Sequence, residues 1–246
     1  MKRMVWLLVG CLLVGSGSVG AAQISPSPLM GPEFEAGVHK GRGELVYINY
    51  EDVHGAGVQG AKRYVLSNRL ALSPSLGAFY LSGDQTYRDD VAGQVDMDMD
   101  YFFFSGGLRG EVQHRVGIVN FIAFGGALGH YGESDSETVT SFGRDETEST
   151  DTGLGWEAGL QAAIQTGPVM TTLFYRRDSL RVTTENDDAS GNATVSDSEQ
   201  TFTFDNDTFG VDVLFHNGIS LSALYSVLDD EGRNDGITII KAGFTF

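Results

Sequence analysis

Apolar and polar residues alternate with a period of two along most of the chain. Because successive side chains of a β-strand point to opposite faces, each alternating segment predicts one strand with an apolar face and a polar face. The segment lengths suit tilted strands that cross about 25 to 30 Å of hydrocarbon. Ten such segments are recognisable, at residues 44–52, 59–73, 77–88, 95–109, 115–131, 153–166, 168–182, 201–215, 218–228 and 237–246.

The last segment ends the chain on an aromatic side chain. One face of this segment carries Thr238, Ile240, Ala242, Phe244 and Phe246. It resembles the C-terminal strand of the Gram-negative outer-membrane β-barrel proteins, which has alternating apolar residues and a final Phe that the barrel-assembly machinery recognises. The resemblance implies location in the cell outer membrane, contact with outer-membrane lipid and lipopolysaccharide, and an assembly signal that includes Phe244 and Phe246.

The predicted connections between the segments alternate in length. The short ones lie at 74–76, 110–114, 167 and 216–218, and the longer ones lie at 53–58, 89–94, 132–152, 183–200 and 229–236. Short turns on one side and long loops on the other are typical of transmembrane barrels. The sequence therefore predicts an all-β fold, a closed antiparallel transmembrane β-barrel of about ten strands with acidic extracellular loops. Eight strands are the alternative, because the first two segments are the least regular.

The start of the chain predicts export. Lys2-Arg3 precedes an apolar run that extends to Gly15, and small residues follow up to Ala22. This pattern is typical of a secretory signal peptide. A lipoprotein cleavage box at Leu8–Cys11 is an alternative interpretation of the same stretch. We expect a signal peptide at 1–22 and a single β-barrel domain at 23–246, with an N-terminal extension at 23–43.

Charge limits the partners that the protein can bind. The chain has 33 acidic and 16 basic side chains and a formal net charge of −17. Such a charge opposes binding to nucleic acid, and no motif predicts a cofactor. Acidic residues concentrate in 132–152 and 183–200, whose composition predicts mobile loops. These loops would either be simply solvated or bind Ca²⁺ or Mg²⁺ that bridges to lipopolysaccharide phosphates.

The parity of each strand predicts which side chains line the lumen. Trp156 and Leu160 alternate with Glu157 and Gln161, so the first two are expected to face lipid and the other two the interior. Charged residues assigned to the interior in this way should form one salt-bridged network. The predicted interior charges are Glu51, Arg63, Arg69, Asp84, Asp96, Asp98, Asp100, Glu157, Arg176, Asp178, Asp212 and Lys241.

Three of these carboxylates lie on one strand. In Val95–Tyr101 the spacing puts Asp96, Asp98 and Asp100 on one face, about 7 Å apart, and the apolar residues of the segment on the other, towards lipid. A divalent-cation site is one interpretation of this pattern. Pairing with arginines of the lumen explains the same charges without metal, so we predict no metal site.

The sequence contains no recognisable catalytic set. His130-Tyr-Gly-Glu-Ser134 supplies a base, a carboxylate and a hydroxyl, but it matches neither the His-x-Ser arrangement of lipid A deacylases nor the Asp-His pair of omptin proteases. We therefore predict that the protein is not an enzyme.

Two functions remain after an enzyme is set aside. The first is a narrow channel or small-solute uptake protein that prefers cations, because acidic residues outnumber basic ones in the predicted lumen. The second is a plugged structural or adhesive barrel that acts through its acidic loops. On fold, the alternative is a soluble calycin-like or sandwich protein, which would bury the apolar faces inside.

Overall fold

A computed structural model of the protein describes residues 37–50, 52–89, 93–140, 143–188, 198–230 and 233–246. The predicted signal peptide, residues 23–36 of the predicted extension and Glu51 lie outside this part of the chain. Ten strands account for most of it. They are β1 (His39–Tyr50), β2 (Val53–Ser67), β3 (Leu70–Asp89), β4 (Gly93–Val116), β5 (Val119–Thr140), β6 (Gly143–Thr166), β7 (Val169–Asp188), β8 (Ser198–Phe215), β9 (Ile219–Asp230) and β10 (Arg233–Thr245).

The sheet closes on itself. Each strand pairs antiparallel with the next one along the chain, and β1 pairs with β10, from Arg42 opposite Thr245 to Asn49 opposite Thr238. The predicted closed antiparallel barrel of ten strands is therefore confirmed. The first strand begins at His39 rather than at residue 44, so residues 39–43 form part of the wall and not of an extension.

Two of the predicted turns are wrong. Pro74 lies inside β3, where it pairs with Leu108, and the chain turns at Asn68-Arg69 instead. A proline restricts φ to a value that extended backbone accepts, so it does not by itself end a strand. Likewise, β4 continues through 110–114 and turns only at Gly117, whose φ of 61° is a left-handed conformation that glycine adopts without strain. The end of the barrel that carries these short turns is called the turn end below.

The acidic stretches predicted as loops are mostly strand. Only 141–142 separate β5 from β6, and 189–197 separate β7 from β8. Thr, which favours extended structure, recurs among the acidic residues of these strands. Strands β3 to β8 have 18 to 24 residues, whereas β1, β2, β9 and β10 have 12 to 15. The long strands project at the end opposite the turns. We call the projecting part the raised sheet; it comprises residues 84–89, 93–100, 133–140, 143–150, 183–188 and 198–204.

The two faces of the wall exchange polarity along the strands. In the half of β4 near the turn end, Leu108 is exposed outside and Arg109 is buried inside. In the part of β4 that belongs to the raised sheet the arrangement is the opposite, with Met97 buried inside and Asp98 exposed outside. On β5 and β7 the buried inner residues of the raised sheet include the polar Thr138, Thr184 and Asn186. The run Tyr101–Phe104 lies between the two regions and has aromatic side chains on both faces. An apolar exterior suits hydrocarbon, whereas an acidic exterior around an apolar interior suits water.

Candidate functional site

Charged side chains fill the lumen near the turn end. The Nη2 atom of Arg42 on β1 lies 2.5 Å from Oδ1 of Asp212 on β8, and its Nε atom lies 2.7 Å from Oε1 of Glu44. The other Glu44 oxygen is 3.7 Å from Nζ of Lys241 on β10 and accepts a hydrogen bond from Gln59 on β2. All five residues are at most 4% exposed. Charges buried this deeply are tolerated because each has a partner of opposite sign.

Two further ion pairs involve β4. Arg109 binds Glu157 on β6 through two parallel hydrogen bonds, with Nη2–Oε2 at 2.7 Å and Nε–Oε1 at 2.9 Å. Arg63 on β2 lies 2.5 Å from Oε2 of Glu111 on β4. A guanidinium and a carboxylate joined by two bonds hold a fixed relative orientation, so the pairs fix the side chains that cross the lumen.

A fourth pair continues into a chain of neutral polar side chains. Nε of Arg176 on β7 lies 2.8 Å from Oδ1 of Asp178, and its Nη2 donates to Thr208 on β8 at 3.2 Å. Thr208 is 2.6 Å from the hydroxyl of Ser226 on β9, which donates to Asn206 at 2.8 Å. Polar contacts therefore line the lumen on most sides of the barrel.

The charges in this part of the lumen balance. We call the set the charged layer; it consists of the basic residues Arg42, Arg63, Arg109, Arg176 and Lys241 and the acidic residues Glu44, Glu111, Glu157, Asp178 and Asp212. The predicted cation preference depended on an excess of acid in the lumen. With five residues of each sign among those described, the charged layer provides no such excess; the lumen has one further buried carboxylate in the described part of the chain, Asp151, beyond this layer.

Six of the predicted lumen residues belong to this layer, namely Arg63, Glu157, Arg176, Asp178, Asp212 and Lys241. The inward orientation predicted for five others is wrong: Arg69 is exposed in the turn between β2 and β3, and Asp84, Asp96, Asp98 and Asp100 lie on the outer face of their strands. Alternation separates the two faces of a strand but does not say which one is inside. On β4 the inner face is polar near the turn end and apolar at the raised end, so a single rule fails for this strand.

Four members of the charged layer were missed from the sequence. Arg42 lies in the stretch 23–43 that the sequence had assigned to the extension. Glu44 begins the predicted segment 44–52, but placing Glu51 inside put Glu44, which has the opposite parity, outside. Arg109 has the parity opposite to that of Asp96, so placing the aspartates inside put Arg109 outside. Glu111 fell in a predicted turn. Leu108, Val112 and Val116 are exposed apolar residues of β4. If the strand is taken as continuous through Val116, their alternation places Arg109 and Glu111 on the inner face.

Apolar side chains fill the lumen beyond the charged layer. Phe79 on β3 and Phe103 on β4 stack with their ring centroids 4.8 Å apart. They belong to a cluster, called the apolar plug here, that comprises Val46, Ile48, Tyr50, Val53, Phe79, Leu81, Met99, Tyr101, Phe103, Leu128, Phe174, Leu180, Val182, Phe204, Leu224, Ile237 and Ile239. Every member is at most 8% exposed. This section of the barrel is therefore occupied by packed side chains.

Tyr101 also contacts two polar side chains inside the barrel, and one of these is bonded to a third. Its hydroxyl lies 2.7 Å from Nε2 of His130 on β5 and donates to Asp151 on β6 at 2.9 Å, and Thr184 on β7 donates to the second Asp151 oxygen at 2.5 Å. Glu133, which the sequence grouped with His130, is exposed on the outer face. The wall therefore separates His130 from Glu133, and the two cannot act on the same bound molecule.

Carboxylates form a row across the outer face of the raised sheet. Strand pairing puts Asp84 opposite Asp98, Asp98 opposite Glu137, and Glu137 opposite Glu146. Residues directly opposite each other lie about 4.5 to 5.5 Å apart, so like charges repel. Repulsion from Asp84 is the main cause that raises the pKa of Asp98 above its ordinary value. At the other end of the row, Arg144 reduces the repulsion between the carboxylates, because its Nη2 atom lies 2.5 Å from Glu137 and 3.4 Å from Glu146.

This row does not assemble a metal site in the described part of the chain. Within those residues, no group of three or more His, Cys, Asp or Glu side chains is placed to hold a metal ion. Asp100 instead accepts a hydrogen bond from Tyr80 at 2.6 Å, which lowers the pKa of Asp100. The three aspartates of β4 thus have different protein neighbours rather than one shared ligand.

The outer wall below the raised sheet exposes large apolar side chains. Leu76, Leu160 and Leu173 are 60 to 65% exposed, and Trp156 is also on this face, as predicted. Tyrosines border the band, and Tyr80, Tyr131 and Tyr175 each donate a hydrogen bond of 2.6 Å to a carboxylate, namely Asp100, Glu133 and Asp207. An apolar band with an aromatic border is typical of a surface in contact with lipid. Among the residues that the structure describes, no helix is long and apolar enough to cross a membrane.

The end of the chain lies at the seam between β10 and β1. The N–H group of Phe246 donates to the carbonyl of Gly41 at 2.9 Å, and the N–H group of Gly41 donates to the carbonyl of Phe246 at 2.7 Å. A Cβ atom on Gly41 would lie only 2.5 Å from the Phe246 ring, so glycine leaves the space that the ring occupies. Phe244 and Phe246 are 50% and 76% exposed on the outer face. The two residues of the predicted assembly signal are therefore accessible from outside the wall.

Comparison with known proteins finds similarity of architecture only. No family model matches the chain, and no curated protein sequence matches it significantly. Among solved structures, a major outer membrane protein from Thermus thermophilus is 12% identical, with 85% of this chain and 100% of that one covered and a TM-score of 0.42.

Two other solved structures show the same level of similarity. An outer membrane channel from Pseudomonas putida F1 is 13% identical, with 89% of this chain and 100% of that one covered and a TM-score of 0.41. The transport unit of the autotransporter AIDA-I from Escherichia coli is 10% identical, with 93% of this chain and 95% of that one covered and a TM-score of 0.38. At these identities and TM-scores, the closed barrel rests on the strand pairing of the chain itself.

Proposed function

We propose that the protein is an outer-membrane barrel that does not conduct and that holds the raised sheet at the cell surface for contact with other molecules. The apolar plug is the observation that carries this proposal. An ion in transit must exchange its water for polar groups of the pore. Packed side chains such as Phe79 and Phe103 are buried and offer no polar groups. The polar side chains beside them, Tyr101, His130 and Asp151, are bonded to one another.

The charged layer supports the same proposal, because its charges neutralise one another. A selective pore needs charges that attract an ion and remain available to it. Here Arg42 lies between Asp212 and Glu44, and Arg109 is bound to Glu157 by two bonds. Such pairs serve to fix strands that are not neighbours in the sheet.

The orientation follows from the two ends of the barrel. The turn end, with Phe246 at the seam, faces the periplasm, where the assembly machinery acts, and the raised sheet faces outward. The apolar band contacts lipid and the acyl chains of lipopolysaccharide. Ca²⁺ or Mg²⁺ ions screen the carboxylates of the raised sheet from the lipopolysaccharide phosphates, which would otherwise repel them.

Conductance in planar bilayers tests this proposal. The barrel, shown to be folded by a change in gel mobility on boiling, should give no current steps. A variant with Phe79→Ala and Phe103→Ala provides the matched control, because it empties the centre of the plug and should produce small currents. Cation-selective steps from the wild-type barrel, of the same size as those of the variant, would instead establish the narrow channel.

A further inference from the structure

The raised sheet has an open edge on β8. Pairing between β8 and β7 extends from Phe215 up to Ser198, whereas pairing between β8 and β9 stops at Asp205 opposite Asp229. Between Thr201 and Phe204, β8 therefore has a strand partner on one side only, among the residues that the structure describes. Among the described residues, no strand pairs with the backbone N–H and C=O groups that point to the other side of this stretch, and such groups can pair with an added strand.

The composition of this edge favours addition of a strand. Natural proteins protect exposed edges with charged residues or proline. Thr201-Phe-Thr-Phe204 contains neither, and Thr and Phe both favour strands. The second projecting edge, residues 84–89 of β3 beyond the last β2 pair at Gly83, has a different composition, since its sequence contains the charged residues Asp84, Arg88 and Asp89. The β8 edge is thus the one better suited to a partner.

The two faces of the edge define the side chains that an added strand needs. Phe204 is buried in the apolar plug and Phe202 packs against it, so residues added beside them on the inner face should be apolar. On the outer face, Thr201 and Thr203 are exposed, and Thr201 lies 3.2 Å from Thr183. Hydroxyl-bearing or other β-branched residues suit the positions beside them.

Charge defines one further position. Glu199 lies directly opposite Glu185 of β7, and both are exposed on the outer face. Two like charges in this arrangement destabilise the sheet, so a basic residue beside Glu199 in an added strand would be attracted. The partner that fits is an extended peptide segment with a basic residue followed by alternating apolar and hydroxyl residues.

We propose that the edge of β8 binds such a segment of another protein by strand addition, with its apolar side chains beside Phe202 and its basic side chain beside Glu199. The inference deepens the proposed function, because it names the partner chemistry of the raised sheet. The occupant pairs through backbone hydrogen bonds, and its side chains give specificity.

A synthetic peptide tests the proposal with the full-length barrel in lipid nanodiscs. The probe is a fluorescent, end-capped Lys-Val-Thr-Val-Thr-Val, and binding is followed by anisotropy. Two further peptides carry N-methyl groups at odd or at even residues. In strand addition only one set of amides faces β8, so one methylated peptide should lose binding and the other should keep it. Equal binding of both, or absence of binding by the unmodified peptide, overturns the proposal.

Charge reversal locates the site. Glu199→Lys should weaken binding of the probe about fivefold, and a peptide with Glu in place of Lys should recover it. Glu148→Lys is the matched control, because Glu148 is an exposed carboxylate on a strand paired on both sides. An equal loss in both variants would show general attraction to an acidic surface and overturn strand addition. Since conductance is measured separately, failure here leaves the proposed closed barrel unaffected, and current steps there leave the edge unaffected.

Discussion

Arg109 and Glu157 meet over Gly126, the residue that pairs with both of them across β5. The middle strand thus contributes no side chain at this level, and the guanidinium on β4 reaches the carboxylate on β6 through two hydrogen bonds of 2.7 and 2.9 Å. The pair is buried, with side chains 4% and 2% exposed. The arrangement shows how a narrow barrel accommodates long charged residues: a glycine between them provides the space.

Removing one member of this pair should be costly. We expect Glu157→Leu to lower the free energy of unfolding by about 3 to 5 kcal/mol, because it leaves the Arg109 guanidinium buried without its bidentate partner. The double variant Arg109→Met with Glu157→Leu should recover most of that loss. Urea unfolding of the barrel in lipid vesicles measures both. A double variant as unstable as the single one would contradict this explanation.

The exchange of polarity predicts that the same substitution has different effects at two heights. Leu160→Arg, in the apolar band, should cost about 2 to 4 kcal/mol, because the charge enters hydrocarbon. Val139→Arg should cost far less, since this outward residue belongs to the raised sheet and lies in water. The measurement is again urea unfolding in vesicles. Equal tolerance at both positions would mean that the apolar band does not contact lipid and would favour a soluble fold.

The Asp84–Asp98 contact predicts a pH effect. Because the pKa of Asp98 is raised in the folded protein, the folded state binds a proton more readily than the unfolded chain. Acidification through this pKa should therefore stabilise the raised sheet, and the gain is lost as the pH rises again. Carboxyl ¹³C NMR should give a midpoint for Asp98 above the ordinary value, and Asp84→Asn should move it down. Asp100, whose pKa is lowered by Tyr80, is the internal control.

Phe246 contributes both backbone hydrogen bonds at the seam and an exposed ring, and two variants can separate their effects on assembly. Deleting Phe246 removes both seam hydrogen bonds with Gly41 and the exposed ring, so assembly of the barrel should slow while export continues. Phe246→Ala keeps the backbone bonds and removes only the ring. The rate at which heat-modifiable barrel forms in pulse-labelled cells shows whether the backbone bonds or the ring determines assembly. If the alanine variant assembles at the wild-type rate, the ring is not a recognition element and the seam bonds explain the effect of deletion.

Strand number and closure could be predicted because alternation is a local property of the sequence. Trp156, Leu160 and the C-terminal face with Phe244 were placed correctly, since in those strand segments an apolar set alternates with small or polar residues and each segment lies in one environment. Hairpins of Ser, Thr and acidic residues were mistaken for loops. Their pairing energy comes from neighbouring strands, which composition alone does not reveal.

The candidate site was only partly predictable, because its sides depend on the surroundings of each strand segment. Asp98 and Arg109 lie on the same strand with opposite parity, and the sequence offers one cue to this, the run of aromatic residues from Tyr101 to Phe104. Where both faces are aromatic, the interior can pass from polar to apolar. The apolar plug was missed for the same reason, since its members on β4 resemble lipid-facing residues.

In the proposed membrane location and orientation, the exchange of polarity also fixes how deeply the barrel sits. Sliding it towards the periplasm by two residues would draw Asp100 and Glu133 into hydrocarbon, and each buried carboxylate opposes that movement. Sliding it the other way would lift Leu160 and its apolar neighbours into water. The free energy of the barrel therefore rises steeply when it moves in either direction along the membrane normal. In a thinner or thicker membrane, the lipids next to the wall must stretch or compress to match a height that the protein dictates.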